Sequence, residues 1–95
     1  MNRNIPETRQ VIAFVAIVET GSFTLAAKKL NLTQSAISHS LRSLEDSLDA
    51  RLLDRKGKSH RLTESGEFFL KHCHAVISEF DAAMTQMNAM PKKAG

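Results

Sequence analysis

The sequence predicts a mainly α-helical protein: three short helices forming a core, a two-stranded hairpin, and one long C-terminal helix. Three observations lead there. Val11–Val18 is apolar on nearly every side, Leu32–Leu48 carries an apolar stripe at helical spacing, and Phe69–Met90 sustains a seven-residue repeat. The helical period breaks between residues 49 and 63, where short apolar positions flank a run of Lys, Gly and Ser.

The elements follow in order. VIAFVAIV at 11–18 suits a buried first helix, and Gly21 is placed to end it in the left-handed conformation. Ser22 can cap a short second helix carrying Ala26, Ala27 and Leu30. Asn31 tolerates the left-handed backbone that a tight interhelical turn requires, and Thr33 can cap a third helix running to about Leu48. Arg51–Asp54 and His60–Thr63, joined by Arg55-Lys56-Gly57-Lys58-Ser59, read as a hairpin. Thr63 can cap the last helix, with Glu64 and Glu67 at the positive end of its dipole. That helix should continue to about Ala89, roughly 39 Å at 1.5 Å per residue.

Composition bounds the function. Ninety-five residues make one small domain, and 42% hydrophobic content is enough for a core. The single cysteine, Cys73, rules out an internal disulfide framework and fits a reducing, cytoplasmic setting. No apolar run is long enough to span a membrane, and the N-terminus lacks the pattern of a signal peptide. The net charge of +3 is unevenly spread. Eight Lys/Arg face four acids between Lys28 and Arg61, against three Lys and four acids from Leu62 onward. A positive middle segment points toward an anionic partner.

The third helix sharpens this. Ile37, Leu41, Leu44 and Leu48 fall within a stripe about 60° wide, and Ser35, Ser38, His39 and Arg42 fall opposite. Short donors and acceptors let a helix sit in a DNA major groove, where base edges present acceptors and donors and phosphates line the rim. Polar outer faces are ordinary on surface helices, so the neighbours decide. Small Ala26-Ala27 allow close helix crossing, and the turn Asn31-Leu32-Thr33 has helix-turn-helix spacing. The segment from Arg55 to Arg61 holds four Lys/Arg and no acid, a basic wing directly after the reading helix.

The run GSFTLAAKKLNLTQSAISHSLRSLEDSLDARLLDRKGKSHRLTESG resembles the N-terminal DNA-binding domain of LysR-type transcriptional regulators. The motifs are SFTxAAxxL, TQSAIS, LRSLE, LLDR and RLTESG, and the resemblance extends from about residue 8 to residue 88. It implies a winged helix-turn-helix fold, a dimerising linker helix, and a bacterial cytoplasmic regulator acting on the nucleoid. The domains expected are a winged helix-turn-helix unit over 1–63, a linker helix over 64–90, and the start of a hinge over 91–95. A small-molecule effector is expected only for a further C-terminal domain that these 95 residues do not include. The chain accordingly reads as a fragment or as a regulator lacking its sensor. Carried over by position, groove contacts fall on Gln34, Ser35, Ser38 and His39, with Thr33 meeting phosphate at the helix start and Arg42 on the same face. Wing contacts fall on Lys58 and Arg61, with Arg55 at the wing's base. Ser35 stands where Pro is common, His39 where Arg is common, and Asp49 where Gly usually ends the third helix.

In the long helix, Phe69, Cys73, Val76, Phe80, Ala83, Met87 and Met90 are spaced 4, 3, 4, 3, 4, 3, with Leu70, Ile77 and Met84 alongside. The first half is expected to pack on the chain's own helices. The far half projects beyond them, so Val76, Phe80, Ala83, Met84 and Met87 are expected to form a homodimer seam, with higher oligomers open to a full-length protein. Paired half-sites on DNA also call for a dimer. His72-Cys73-His74 is not expected to bind metal, because helix neighbours diverge by 100° and cannot converge on one ion. No metal, cofactor or catalytic constellation is expected: there is no glycine-rich phosphate loop and no nucleophile–base pair that can be placed in a pocket. The competing function is a protein-interaction or dimerisation module that does not read DNA; the basic wing beside a short polar face is what such an adaptor would not need.

Overall fold

A computed structural model describes residues 5–54 and 60–91. The element order is α1 (Thr8–Thr20), α2 (Phe23–Leu30), α3 (Gln34–Leu48), β1 (Leu53–Asp54), β2 (Arg61–Leu62) and α4 (Glu64–Ala89). The helix boundaries are set by short-range chemistry. The Glu7 N–H donates to the Gln10 side chain (3.1 Å), which starts α1 three residues before its apolar run. Gly21 ends α1 at φ 72°, and its N–H donates to the Ile17 carbonyl. The hydroxyls of Ser22, Thr33 and Thr63 accept the N–H groups of Leu25, Ala36 and Gly66, capping α2, α3 and α4. Asn31 (φ 57°) and Asp49 (φ 52°) take the left-handed conformation at the ends of α2 and α3. Asp49 therefore makes the same turn a glycine would make, at a steric cost that glycine would not incur.

The core lies where α1, α2, α3 and the root of α4 meet. Phe14, Ile17, Ile37, Leu41, Leu44, Leu52 and Leu53 are fully buried. Each contributes on the order of 1.5–3 kcal/mol of burial. Ala26 and Ala27 are buried on α2, which brings that helix close to its neighbours. Phe69 anchors α4 to α1 through its ring contact with Phe14 (5.9 Å between centroids).

The hairpin is shorter than the sequence suggests. Among the described residues the antiparallel pairing covers Leu53–Leu62 and Asp54–Arg61. The flanking groups are engaged elsewhere. The Leu52 N–H donates to the Glu45 carboxylate (2.8 Å), and the Arg51 carbonyl accepts the Thr63 hydroxyl. The Leu52 carbonyl accepts the Thr63 N–H (3.0 Å), so the hairpin runs directly into the cap of α4. Gly66 sits at this junction. A Cβ there would lie 2.1 Å from the Leu52 carbonyl oxygen and 3.0 Å from a Leu62 methyl, so the close approach requires glycine. Beyond Ile77 the helix leaves the core. The radius of gyration of 15.6 Å exceeds the roughly 12 Å expected of a compact domain of this length, because α4 extends the molecule to 55 Å.

Candidate nucleic-acid interface

The turn between α2 and α3 is built from backbone bonds. The Asn31 N–H donates to the Lys28 carbonyl and the Leu32 N–H to the Ala27 carbonyl (2.9 Å). With Thr33 as cap, this geometry fixes the orientation of α3 against α2. Ile37, Leu41 and Leu44 then face the core. Gln34, Ser35, His39 and Arg42 are exposed on the opposite side, and Ser38 is half-buried beside them. Thr33 is also exposed, its hydroxyl oxygen occupied by the Ala36 N–H.

Three elements contribute to one concave surface here. Gly21–Thr24 from the start of α2, Gln34, Ser38 and Arg42 from α3, and His60 before β2 line a groove of about 490 Å³. Among the described residues no acidic side chain lines it. Two contacts tie its walls together. The Thr24 hydroxyl donates to Gln34 Oε1 (3.2 Å), and the His60 ring packs edge-on against Phe23 with centroids 4.8 Å apart at 66°. Arg61 is exposed on β2, in register with Asp54. The expected contacts Arg55 and Lys58 lie outside the described residues.

The position of the hairpin depends on Glu45. This carboxylate is only 6% exposed and accepts the N–H groups of Leu52 (2.8 Å) and Leu53 (3.4 Å). A buried acid in a core is tolerated only when such partners satisfy it. It joins the far end of α3 to the first strand. Sequence reasoning missed Glu45, although its place four residues after Leu41 put it on the inner face. Thr24 and Phe23 were also missed as part of the groove, whereas His60 falls within the wing segment that the sequence singles out. Nothing local in the sequence links them, since Thr24 and Gln34 are ten residues apart and Phe23 and His60 thirty-seven.

On α4, Phe69, Leu70 and Ile77 are half-buried and Cys73 is buried, whereas Val76, Phe80, Ala83, Met84 and Met87 are exposed. Between α1 and α4 runs a second groove of about 820 Å³, whose lining includes Val11, Ile12 and Val15 on one side and Phe69, Val76 and Phe80 on the other. Cys73 is 2% exposed, and burial pushes its thiol up to about 11. His72 and His74 are exposed on either side of it, and the His72 ring contacts Phe68. Among the described residues, no group of three His, Cys, Asp or Glu side chains could hold a metal ion.

Three helices with a tight α2–α3 turn, followed by a short antiparallel hairpin beside α3, define the winged helix-turn-helix class. Comparison with known proteins places the chain within that class. Residues 8–67 match the family model for the bacterial regulatory helix-turn-helix protein, lysR family, and the chain belongs to that family. It is 41% identical over 76 residues to an uncharacterized HTH-type transcriptional regulator in the ibpB-leuC intergenic region of Azotobacter vinelandii, covering 80% of this chain and 53% of that one. It is 42% identical over 77 residues to the HTH-type transcriptional regulator PerR of Escherichia coli K12, covering 81% of this chain and 26% of that one. The chain thus spans about half the length of the first of these curated relatives and about a quarter of the second. Among solved structures, BenM DBD in complex with benA site 1 DNA superposes with a TM-score of 0.80 at 35% identity, covering 90% of this chain and 99% of that one. Vibrio fischeri DarR in complex with DNA gives a TM-score of 0.79 at 33% identity, covering 93% of this chain and 29% of that one.

Proposed function

We propose that this chain is the DNA-reading module of a transcriptional regulator, binding duplex DNA at paired half-sites as a homodimer. In this reading α3 enters the major groove, the hairpin lies on the sugar–phosphate backbone, and the distal half of α4 forms the dimer seam. The observation that carries it is the acid-free concave face where the polar side of α3, the start of α2 and the base of the hairpin meet. A Gln–Ser–Ser–His–Arg surface, exposed except for half-buried Ser38, supplies the short donors and acceptors that base edges match, and exposed Arg61 supplies charge for phosphate. The solved relatives in complex with DNA support the same assignment. The proposed roles are base reading for Gln34, Ser35, Ser38 and His39, and backbone contact for Thr33, Arg42, Arg55, Lys58 and Arg61. The seam is assigned to Val76, Phe80, Ala83, Met84 and Met87. Among the described residues no helix is long and apolar enough to cross a membrane, and the module is proposed to act in the cytoplasm on the nucleoid.

The test is duplex binding across a salt series. Arg61→Ala should weaken binding about equally on all sequences and lower the salt slope by about one. Gln34→Ala should relax base preference at one position per half-site, a discrimination of about 1–3 kcal/mol. A chain that shows no salt-dependent affinity for duplex DNA would instead be a dimerisation or protein-docking module working through α4.

A further inference from the structure

Gln34 is exposed at the first turn of α3, and its side chain is tied to the neighbouring helix. Its Oε1 accepts the hydroxyl of Thr24, which sits on the first turn of α2 across the groove (3.2 Å). Oxygen and nitrogen lie on opposite arms of the amide, so holding Oε1 toward α2 turns Nε2 away from it. Among the described residues Nε2 has no hydrogen-bond partner of its own.

Taking the DNA-reading function as its basis, we propose that Thr24 is a positioning residue for specificity: its hydroxyl holds the end of the Gln34 side chain across the groove, so that the Gln34 amide is already placed for a base edge when DNA binds. A free glutamine samples several rotamers, and only some of them bring its amide to a given base edge. A tethered one presents the amide in one place. The tether also removes, at the folding stage, part of the rotamer ordering that binding would otherwise require.

The experiment uses the whole chain. Wild type selects duplexes from a random-sequence pool, and the position whose preference Gln34→Ala loses is scored with all four bases. Thr24 is exposed, so Thr24→Val and Thr24→Ser should melt with wild type. Thr24→Val removes the hydroxyl at constant shape. It should cut discrimination at the Gln34 position by about 3- to 10-fold, the scale of freeing one ordered side chain, and weaken selected duplex more than random duplex. Thr24→Ser should restore the preference. The proposal is overturned if Thr24→Val keeps full discrimination, if it weakens selected and random duplexes equally, or if Thr24→Ser behaves like Thr24→Val. A wild-type chain that selects no sequence at all removes the DNA-reading function and this proposal together, and the wild-type arm alone distinguishes that case.

Discussion

The two halves of α4 carry one repeat and meet different surroundings. In the first half Phe69, Cys73 and Ile77 pack against the core, and the helix starts from a cap shared with the hairpin. In the second half Phe80, Met84 and Met87 continue the same spacing but are about 60% exposed. A heptad pattern states that a helix has an apolar side and leaves open what covers it. Here the covering is settled by length: α1–α3 occupy only the part of α4 nearest the hairpin. The contrast predicts that substitutions in the first half cost stability whatever the protein concentration, and that those in the second half act through assembly.

The largest effect belongs to the root. Gly66→Ala would drive a methyl group into the Leu52 carbonyl, 2.1 Å away, and into a Leu62 methyl. Backbone cannot yield as a flexible side chain can, so α4 must shift on the hairpin. The expected loss is about 3 kcal/mol or more, at the upper end of overpacking costs. Urea unfolding at two protein concentrations checks this, since the shift should be equal at both. An unchanged midpoint would mean that the root of α4 is not fixed by this contact.

Next comes Phe69→Ala, which removes the ring that meets Phe14. Phe69 is half-buried, so the loss should be about 2–3 kcal/mol, just below the range for fully buried aromatics. It too should be independent of concentration. A loss that vanished on dilution would place Phe69 in the seam and erase the distinction between the halves.

Cys73 marks the inner end of the repeat and gives a pH signature. Its thiol ordinarily ionises near 9 and is pushed up to about 11 by burial. The folded state thus retains a proton that the unfolded state gives up. The stabilisation is fully present below pH 9 and is lost as pH rises through 11. Wild type should lose about 2–3 kcal/mol across that window beyond what Cys73→Ala loses over the same range. Equal slopes for the two proteins would mean that the thiol reaches water in the folded state.

How much of this was legible in advance follows from the range of each interaction. Caps at Ser22, Thr33 and Thr63, the left-handed turns at Gly21 and Asn31, and the polar face of α3 each depend on residues within one helical turn, and the sequence displays them. The division of α4 was legible too, because three short helices cannot cover 39 Å. Gly66 was not: its role depends on Leu52, fourteen residues earlier and brought close only by the hairpin. Nor were the Thr24–Gln34 bond, the Phe23–His60 packing or the burial of Glu45 against β1. These join elements that become neighbours only after folding, and no spacing rule encodes them. The same holds for the short strands, whose ends are lost to Glu45 and Thr63.

The smallest effect on the folded unit, and the sharpest test of the comparison, is Phe80→Asp. Phe80 is 60% exposed on the projecting half, and Asp there would be solvated in a single chain. The stability of the isolated domain should change by less than about 0.5 kcal/mol, as for surface substitutions generally. In the proposed dimer the same carboxylate would face the apolar seam of a second copy, and an unpaired charge there is not tolerated. Sedimentation should therefore find a folded monomer, with circular dichroism unchanged. Binding to paired half-sites should fall toward that of a single site, and binding to an isolated half-site should be retained. An intact dimer in Phe80→Asp would move the interface to another face of the molecule. A variant that failed to fold would show that the distal half of α4 belongs to the core after all, and the contrast between the two halves would collapse.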